Sequence, residues 1–348
     1  MEALLAGATS LLGAVELVDD LSFSHRASVA RLRVGDGSTV VVKRPVASDA
    51  LAREVEAMRT LPERVRPALV ATGEGIVVME DLGAGPSLAD LLLGDDAGAT
   101  DVALLAWATT LGAALRPTLR SGPGQEPEAL TEELEELRGL ADALGATVPG
   151  GVDDDVALVA STLSQPGPWL AFCPGDTCPD NNRVLADGSV RLFDFEGSGW
   201  RHAAMEAAYC RAPFCTCWCL ARLPAGVTQR MEAAFLAALS PPDVDRFADV
   251  IALAAVRYTL ESLRWFRRYV VEDRPVGPEG RAPSTGRQYL YERLRAVAGQ
   301  HGRLPALADV AGQLADRMRA RWPGTADMPL YPAYRARPGR RDSGSDCS

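Results

Sequence analysis

Lysine is almost missing from this sequence: of its 36 basic residues all but one are arginine, and the exception is Lys43. A chain that uses arginine for generic positive charge keeps a compact ammonium where a planar guanidinium fails. Histidine is scarce as well, with three residues, His25, His202 and His301. That scarcity weighs against a Ser-His-Asp hydrolase or a phosphohistidine enzyme. No run reaches the roughly 18 apolar residues a membrane span requires, and the longest, Val102 to Leu115, has the length of a buried core helix. The leucine-rich N-terminal stretch lacks a basic n-region, so no secretory signal is expected and a cytoplasmic protein is. Zinc-type pairing is poorly served by seven cysteines and so few histidines. In the Cys215-Thr216-Cys217-Trp218-Cys219 cluster, apolar neighbours favour buried, reduced thiols. A net charge of −10 argues against a nucleic-acid surface and is compatible with a cationic partner.

What is present begins at Lys43. It ends an apolar strand, Thr39 to Val42, which an Asp36-Gly37 turn folds back on Val29 to Val34. A helix pattern follows, with Ser48 as candidate N-cap and Leu51, Val55 and Met58 as its apolar stripe. Glu54 lies on that stripe. A carboxylate there is either paired, with Lys43 the nearest candidate, or borders the stripe and reaches solvent.

The segment from Cys173 to Gly197 carries Asp176, Asn181 five residues on, and Asp194 at the end of an apolar strand. Between them Arg183 to Ala186, an Asp187-Gly188 turn and Val190 to Phe195 read as a hairpin. Such a hairpin brings its two ends together, and with them oxygen ligands suited to a hard divalent cation.

Strand lysine, helix glutamate, Asp-x4-Asn, hairpin and Asp occur in the order of protein-kinase-like phosphotransferases. The chain resembles the aminoglycoside phosphotransferase and choline kinase-like family, through Pro174-Gly175-Asp176 to Asn181 and Asp194-Phe195-Glu196, from about Leu17 to about Tyr269. The resemblance implies that Asp176 takes or orients the proton of an acceptor hydroxyl, and that Asn181 and Asp194 hold magnesium. It further implies that Lys43 contacts the phosphates of ATP or GTP while Glu54 fixes it. Backbone groups at Glu80 and Leu82 of a hinge would grip the purine, and Glu206 would brace the catalytic loop. Three departures stand out: Pro174 replaces the family's histidine, Asn182 duplicates Asn181 (register favours Asn181), and the phosphate loop Ser22 to Ser28 has no glycine. His25 and Arg26 of that loop either touch the nucleotide or are solvated, and the solvated reading is favoured.

The fold class expected is α+β and protein-kinase-like, with a small N-terminal lobe (1–82) of antiparallel sheet plus one helix. A larger, mainly helical lobe (83–330) and a disordered tail (331–348) complete it. In the larger lobe, Leu130, Leu134, Leu137 and Leu144 predict one helix, Asp153 to Asp155 the start of another, and Asp243 to Val271 a long one packed through Ile251, Ala255, Tyr258, Trp265 and Phe266. The resemblance implies transfer of a γ-phosphoryl group to a hydroxyl of a small molecule, often a cationic one such as an aminoglycoside. The alternatives are a pseudokinase that binds nucleotide or a partner without turnover, and a kinase acting on a peptide. Neither nucleic acid nor membrane is an expected partner.

Overall fold

The structure is a computed structural model of the 348-residue chain, described for all residues except 23–25, 125, 127, 213, 215–216, 273–281 and 336–348, and except the side chains of 265–269 and 271. His25, Cys215, Trp265 and Phe266 therefore lie outside the description.

Five strands form the first sheet: β1 (Val15–Asp20), β2 (Ala27–Val34), β3 (Thr39–Pro45), β4 (Leu69–Gly73) and β5 (Ile76–Glu80). Their spatial order is β1-β2-β3-β5-β4, antiparallel throughout. Period-2 alternation decides what each face does. Ala30, Leu32, Val40, Val42, Ile76 and Val78 point to one face and are buried beneath Leu4 and Ala8 of helix α1 (Glu2–Leu12). The intervening residues Val29, Arg31, Val41 and Lys43 line a cleft on the other face, where α2 (Ser48–Thr60) also packs through Ala57 and Met58 against Val77 and Met79. The sheet thus carries two helices where the sequence predicted one. Leu4 and Ala8 mark α1 as amphipathic, but nothing local says which sheet receives it. Ser48 is the first helical residue of α2 rather than its cap, which is Ala47 without a side-chain bond.

After Gly83–Pro86 the chain is mainly helical: α3 (Leu88–Leu93), α4 (Ala97–Leu115), α5 (Thr131–Leu144) and α6 (Val152–Ser164) come first. Strands β6 (Leu170–Cys173) and β9 (Gly199–His202) pair around the short hairpin β7 (Asn182–Val184) and β8 (Val190–Leu192). Helices α7 (Ala204–Arg211), α8 (Val227–Leu239), α9 (Val244–Glu272), α10 (Gly286–Ala298) and α11 (Pro305–Arg321) follow. By length and composition α4 could cross a membrane. Here it is a core helix: Leu104, Trp107, Leu111 and Leu115 are wholly buried, and Gly112 lets it approach the α8 backbone at Phe235. A second core joins α5, α6, α9, α10 and α11. Asp153, Asp154 and Asp155 open α6 as expected, with the Asp155 carboxylate accepting from the buried Leu307 N–H at 2.8 Å.

Residues 331–335 correct the expectation of a disordered tail from 331 onward. Tyr331 is fully buried, and the Tyr334 hydroxyl donates to Asp101 at 2.5 Å. The Pro, Gly and Arg content of the segment masked two aromatic anchors. Residues 336–348 lie outside the description.

Candidate functional site

Sheet register places Lys43 opposite Val77 in the centre of the five strands, with its side chain facing the cleft. Helix α2 brings Glu54 beneath it: the ammonium donates to Glu54 Oε2 at 2.7 Å, and both groups are buried. Of the two readings left open by the sequence, the paired one holds. Burial pushes the Glu54 carboxyl up against the opposing pull of Lys43. Burial also disfavours the ammonium, but Glu54 and Asp194 together hold Lys43 above its ordinary value, so it stays charged. Lys43 also donates to Asp194 Oδ1. The lysine thereby joins helix α2 to the end of the β7–β8 hairpin, 151 residues further along the chain.

The loop from Pro174 to Asn181 is shaped by its backbone. Gly175 has φ 97°, and a Cβ there would stand 2.4 Å from the backbone of Gly197, so close approach excludes every other residue. Behind it Glu206, fully buried, accepts from the Gly175 N–H at 3.1 Å and from the Thr177 hydroxyl at 3.4 Å. Burial raises Glu206 to about 7, with Arg201 opposing the rise. With Pro174 in place of a histidine, the loop is held from this carboxylate.

Asp176 is directed into the cleft, and its Oδ1 is buried without a hydrogen-bond partner among the described residues. Burial, then the charges of Asp180 and Asp194, lift its carboxyl to about 6. A carboxylate so placed is ionised at neutral pH yet basic enough to accept a proton. Asn181 Nδ2 donates to the Asp176 carbonyl at 2.9 Å, so Oδ1 is the amide atom a hard cation would take. Asn182 has a different task. Fully buried, it accepts from Leu88 N–H and donates to the carbonyls of Cys178 and Pro179, tying the loop to α3. Asp194 adopts φ 67°, a left-handed conformation that turns its carboxylate to the cleft. Among the described residues no group of three or more His, Cys, Asp or Glu side chains is arranged for a metal. Magnesium takes one or two carboxylate or amide oxygens and completes its shell with phosphate and water. Asn181 and Asp194 fit it.

The cleft, of about 600 Å³, runs from these groups to Met79, Glu80, Leu82 and Gly83. Glu80 turns its side chain away, accepting from Ala68 N–H at 2.9 Å, while its own N–H bonds the Ala68 carbonyl. Only the rest of its backbone is left to face a base. The sequence reading missed Asp81, which accepts from Arg31 Nε at 2.7 Å, Thr39 Oγ1 at 2.8 Å and Gly83 N–H at 3.0 Å. These bonds latch the hinge to the sheet roof; an Arg–Asp pair 50 residues apart leaves no local sequence signal. Arg26, read as solvated, is indeed largely exposed, but it pairs with Glu196 at 2.9 Å across the cleft mouth.

The thiol expectation is corrected in part. Cys178 and Cys217 form a disulfide, whereas Cys173, Cys210 and Cys219 are buried and outside it. Cys178 lies between Asp176 and Asn181, 39 residues from its partner, and its own surroundings carry no signal for that pairing.

No protein-family model matches the chain, and no curated protein matches it. Among solved structures, the choline kinases of Streptococcus pneumoniae (TM-score 0.47, 15% identity, 85% of this chain and 96% of that one) and Cryptosporidium parvum (0.49, 11%, 86% and 93%) are matched. The macrolide 2'-phosphotransferase of Brachybacterium faecium superposes with a TM-score of 0.50 at 14% identity, over 77% of this chain and 92% of its own. The α+β, protein-kinase-like fold expected from the sequence is thus the fold of this chain, and it is shared with a small-molecule phosphotransferase.

Proposed function

We propose that the protein transfers the γ-phosphoryl group of ATP or GTP to a hydroxyl of a small molecule. The observation that carries this reading is the convergence of Lys43, Glu54, Asp176, Asn181 and Asp194 on one cleft. Phosphoryl transfer needs positioning and charge stabilisation more than covalent help. Lys43, held by Glu54, would neutralise phosphate oxygens. Asn181 and Asp194 would hold Mg2+, which supplies compensation of phosphate charge. Glu80 and Leu82 would present backbone to the base. The acceptor oxygen attacks the γ-phosphorus as the bond to the β–γ bridging oxygen breaks, and its proton passes to Asp176. The carboxylates of Asp176, Asp180 and Glu196 along the cleft favour a cationic acceptor, and we place the reaction in the cytoplasm.

The test is magnesium-dependent ATP and GTP consumption with a panel of hydroxylated acceptors that includes aminoglycosides, choline and macrolides. Replacing the proton acceptor, Asp176→Ala, is expected to lower kcat by about 10²–10⁴-fold with nucleotide binding retained. Equal turnover by the variant, or nucleotide binding without transfer to any acceptor, overturns the reading and leaves a nucleotide-binding module.

A further inference from the structure

In the wall of the cleft next to Asp176, only the charge of Asp180 has a role in the mechanism above. That wall is made by Cys178 and Asp180 of the catalytic loop and by Cys217 and Trp218, which arrive from a segment about 40 residues further on. That segment is fastened at three points. Phe214, fully buried, meets Trp107 edge-on with ring centroids 5.4 Å apart, and its carbonyl accepts from Cys217 N–H at 2.9 Å. Cys217 is bonded to Cys178. Trp218 Nε1 donates to Asp180 Oδ2 at 2.7 Å.

Elimination assigns this wall. The phosphate end of the cleft belongs to Lys43, Asn181 and Asp194, and the base end to the hinge. The acceptor must reach Asp176, and Cys178 and Asp180 lie two and four residues beyond that carboxylate. Asp180 is close enough for its charge to act on Asp176. An indole bonded to a carboxylate here offers a flat apolar surface beside a negative charge, and the covalent link is what joins the two segments bearing them.

Resting on the phosphotransfer reading, we propose that the Cys178–Cys217 disulfide is a positioning element of the acceptor side of the site. It holds Trp218 and Asp180 beside Asp176, and its reduction by a dithiol weakens acceptor binding while nucleotide binding persists. The chemistry is thiol–disulfide exchange. The dithiol's thiolates attack, the S–S bond breaks, Cys178 and Cys217 each gain an electron and a proton, and the reductant leaves as its own disulfide. In a reducing compartment, bonds of this kind are commonly transient and redox-sensing, so acceptor affinity would follow the thiol poise of the cell.

The experiment compares oxidised and dithiothreitol-reduced full-length protein, with the state of the pair read by alkylation and peptide mass. ATP affinity is measured by calorimetry with magnesium present, and acceptor KM and kcat are measured with whichever member of the panel above is turned over. Reduction is expected to raise acceptor KM about tenfold, the scale of a modest misplacement in a reacting site, with ATP affinity unchanged. The Trp218→Phe variant, which keeps the crosslink and loses the N–H donor, should raise acceptor KM in the oxidised state. The difference in acrylamide quenching between wild type and Trp218→Phe isolates that indole among six tryptophans, and it should grow on reduction. Equal acceptor KM in both states, a parallel loss of ATP affinity, or thiols that remain unlinked in oxidised protein overturns the proposal. Circular dichroism checks the fold of the reduced chain. Should reduction unfold it, Trp218→Phe and Asp180→Asn in oxidised protein decide, and an unchanged acceptor KM in both sinks the idea. Failure of the phosphotransfer reading looks different, with no transfer in either state, and it takes the acceptor role with it.

Discussion

Two hairpins in this molecule turn on the same three residues and end in opposite halves of the site. Asp36-Gly37-Ser38 joins β2 to β3 and leads to Lys43; Asp187-Gly188-Ser189 joins β7 to β8 and leads to Asp194. In each turn the aspartate Oδ1 accepts from the serine N–H at 2.9 Å and from the serine hydroxyl at 2.6 Å. Beyond the turns they part. The first hairpin pairs from Ala27 opposite Pro45 to Arg33 opposite Thr39, inside a five-stranded sheet. The second pairs only Asn182, Arg183 and Val184 with Leu192, Arg191 and Val190, in a sheet of two strands. A two-stranded ladder is marginal by itself. This one is held from outside, by Arg191 on the carbonyls of Glu63 and Arg66 and by Arg183 on the carbonyl of Gly85. Lys43 is therefore placed by a sheet that supports itself, and Asp194 by a hairpin that borrows support from its neighbours.

The strongest way to break the comparison is to remove the group each hairpin delivers. Asp194→Asn should cost roughly 10³-fold in kcat, because a metal ligand and transition-state charge are lost together, while Lys43→Arg should cost about 10²-fold. Steady-state kinetics with magnesium ATP checks both, and a milder effect at Asp194 than at Lys43 would reverse the ranking. Acidity separates the two regions next. Lys43 keeps its charge, whereas Asp176 beside the second hairpin titrates at about 6. Below that value kcat/KM of the free enzyme should fall about tenfold per pH unit as the base takes up its proton. Stability runs the other way. A carboxyl raised above its unfolded value of 3.8 favours the fold while protonated, so its contribution is lost as pH climbs from about 4 to 6. Glu206, raised from 4.5 to about 7, acts in the same direction. His202, lowered by burial from 6.5 to about 4, opposes them over the same range, so the effect is read as a difference. The melting temperature of wild type relative to Asp176→Asn should fall as pH climbs from about 4 to 6, the range over which wild-type kcat/KM rises, and the variant should abolish that activity. The smallest effect tests the turns. Asp36→Ala and Asp187→Ala delete equivalent bonds. The first should leave kcat/KM unchanged, and the second should lower it by a factor of roughly three, because only the second ladder lacks a sheet to hold its register.

Much of this was legible in the sequence because the signals are local. Asp-Gly between apolar strands predicts both hairpins, and a single lysine at a strand end marks the cation, whereas the glutamate on the apolar stripe left pairing and solvent contact equally open until the structure paired it. Asn181 was separable from Asn182 only by register, and the structure shows why both are asparagine: one faces the cleft, and the other satisfies the buried N–H of Leu88. What escaped depends on distant pairing. The seat of α1 on the sheet, the Arg31–Asp81 latch, the Cys178–Cys217 bond and the docking of Tyr331 and Tyr334 each join residues whose own surroundings say nothing about the partner.

Helix α2 does more than carry Glu54. Arg53, next to it, donates to the Glu196 carbonyl at 2.5 Å, and the Ser198 hydroxyl donates to the Arg53 carbonyl at 3.0 Å. These bonds, with the Lys43 bridge, splice α2 to the strip of chain just past Asp194. A swing of that helix away from the lower half would have to tear them all at once.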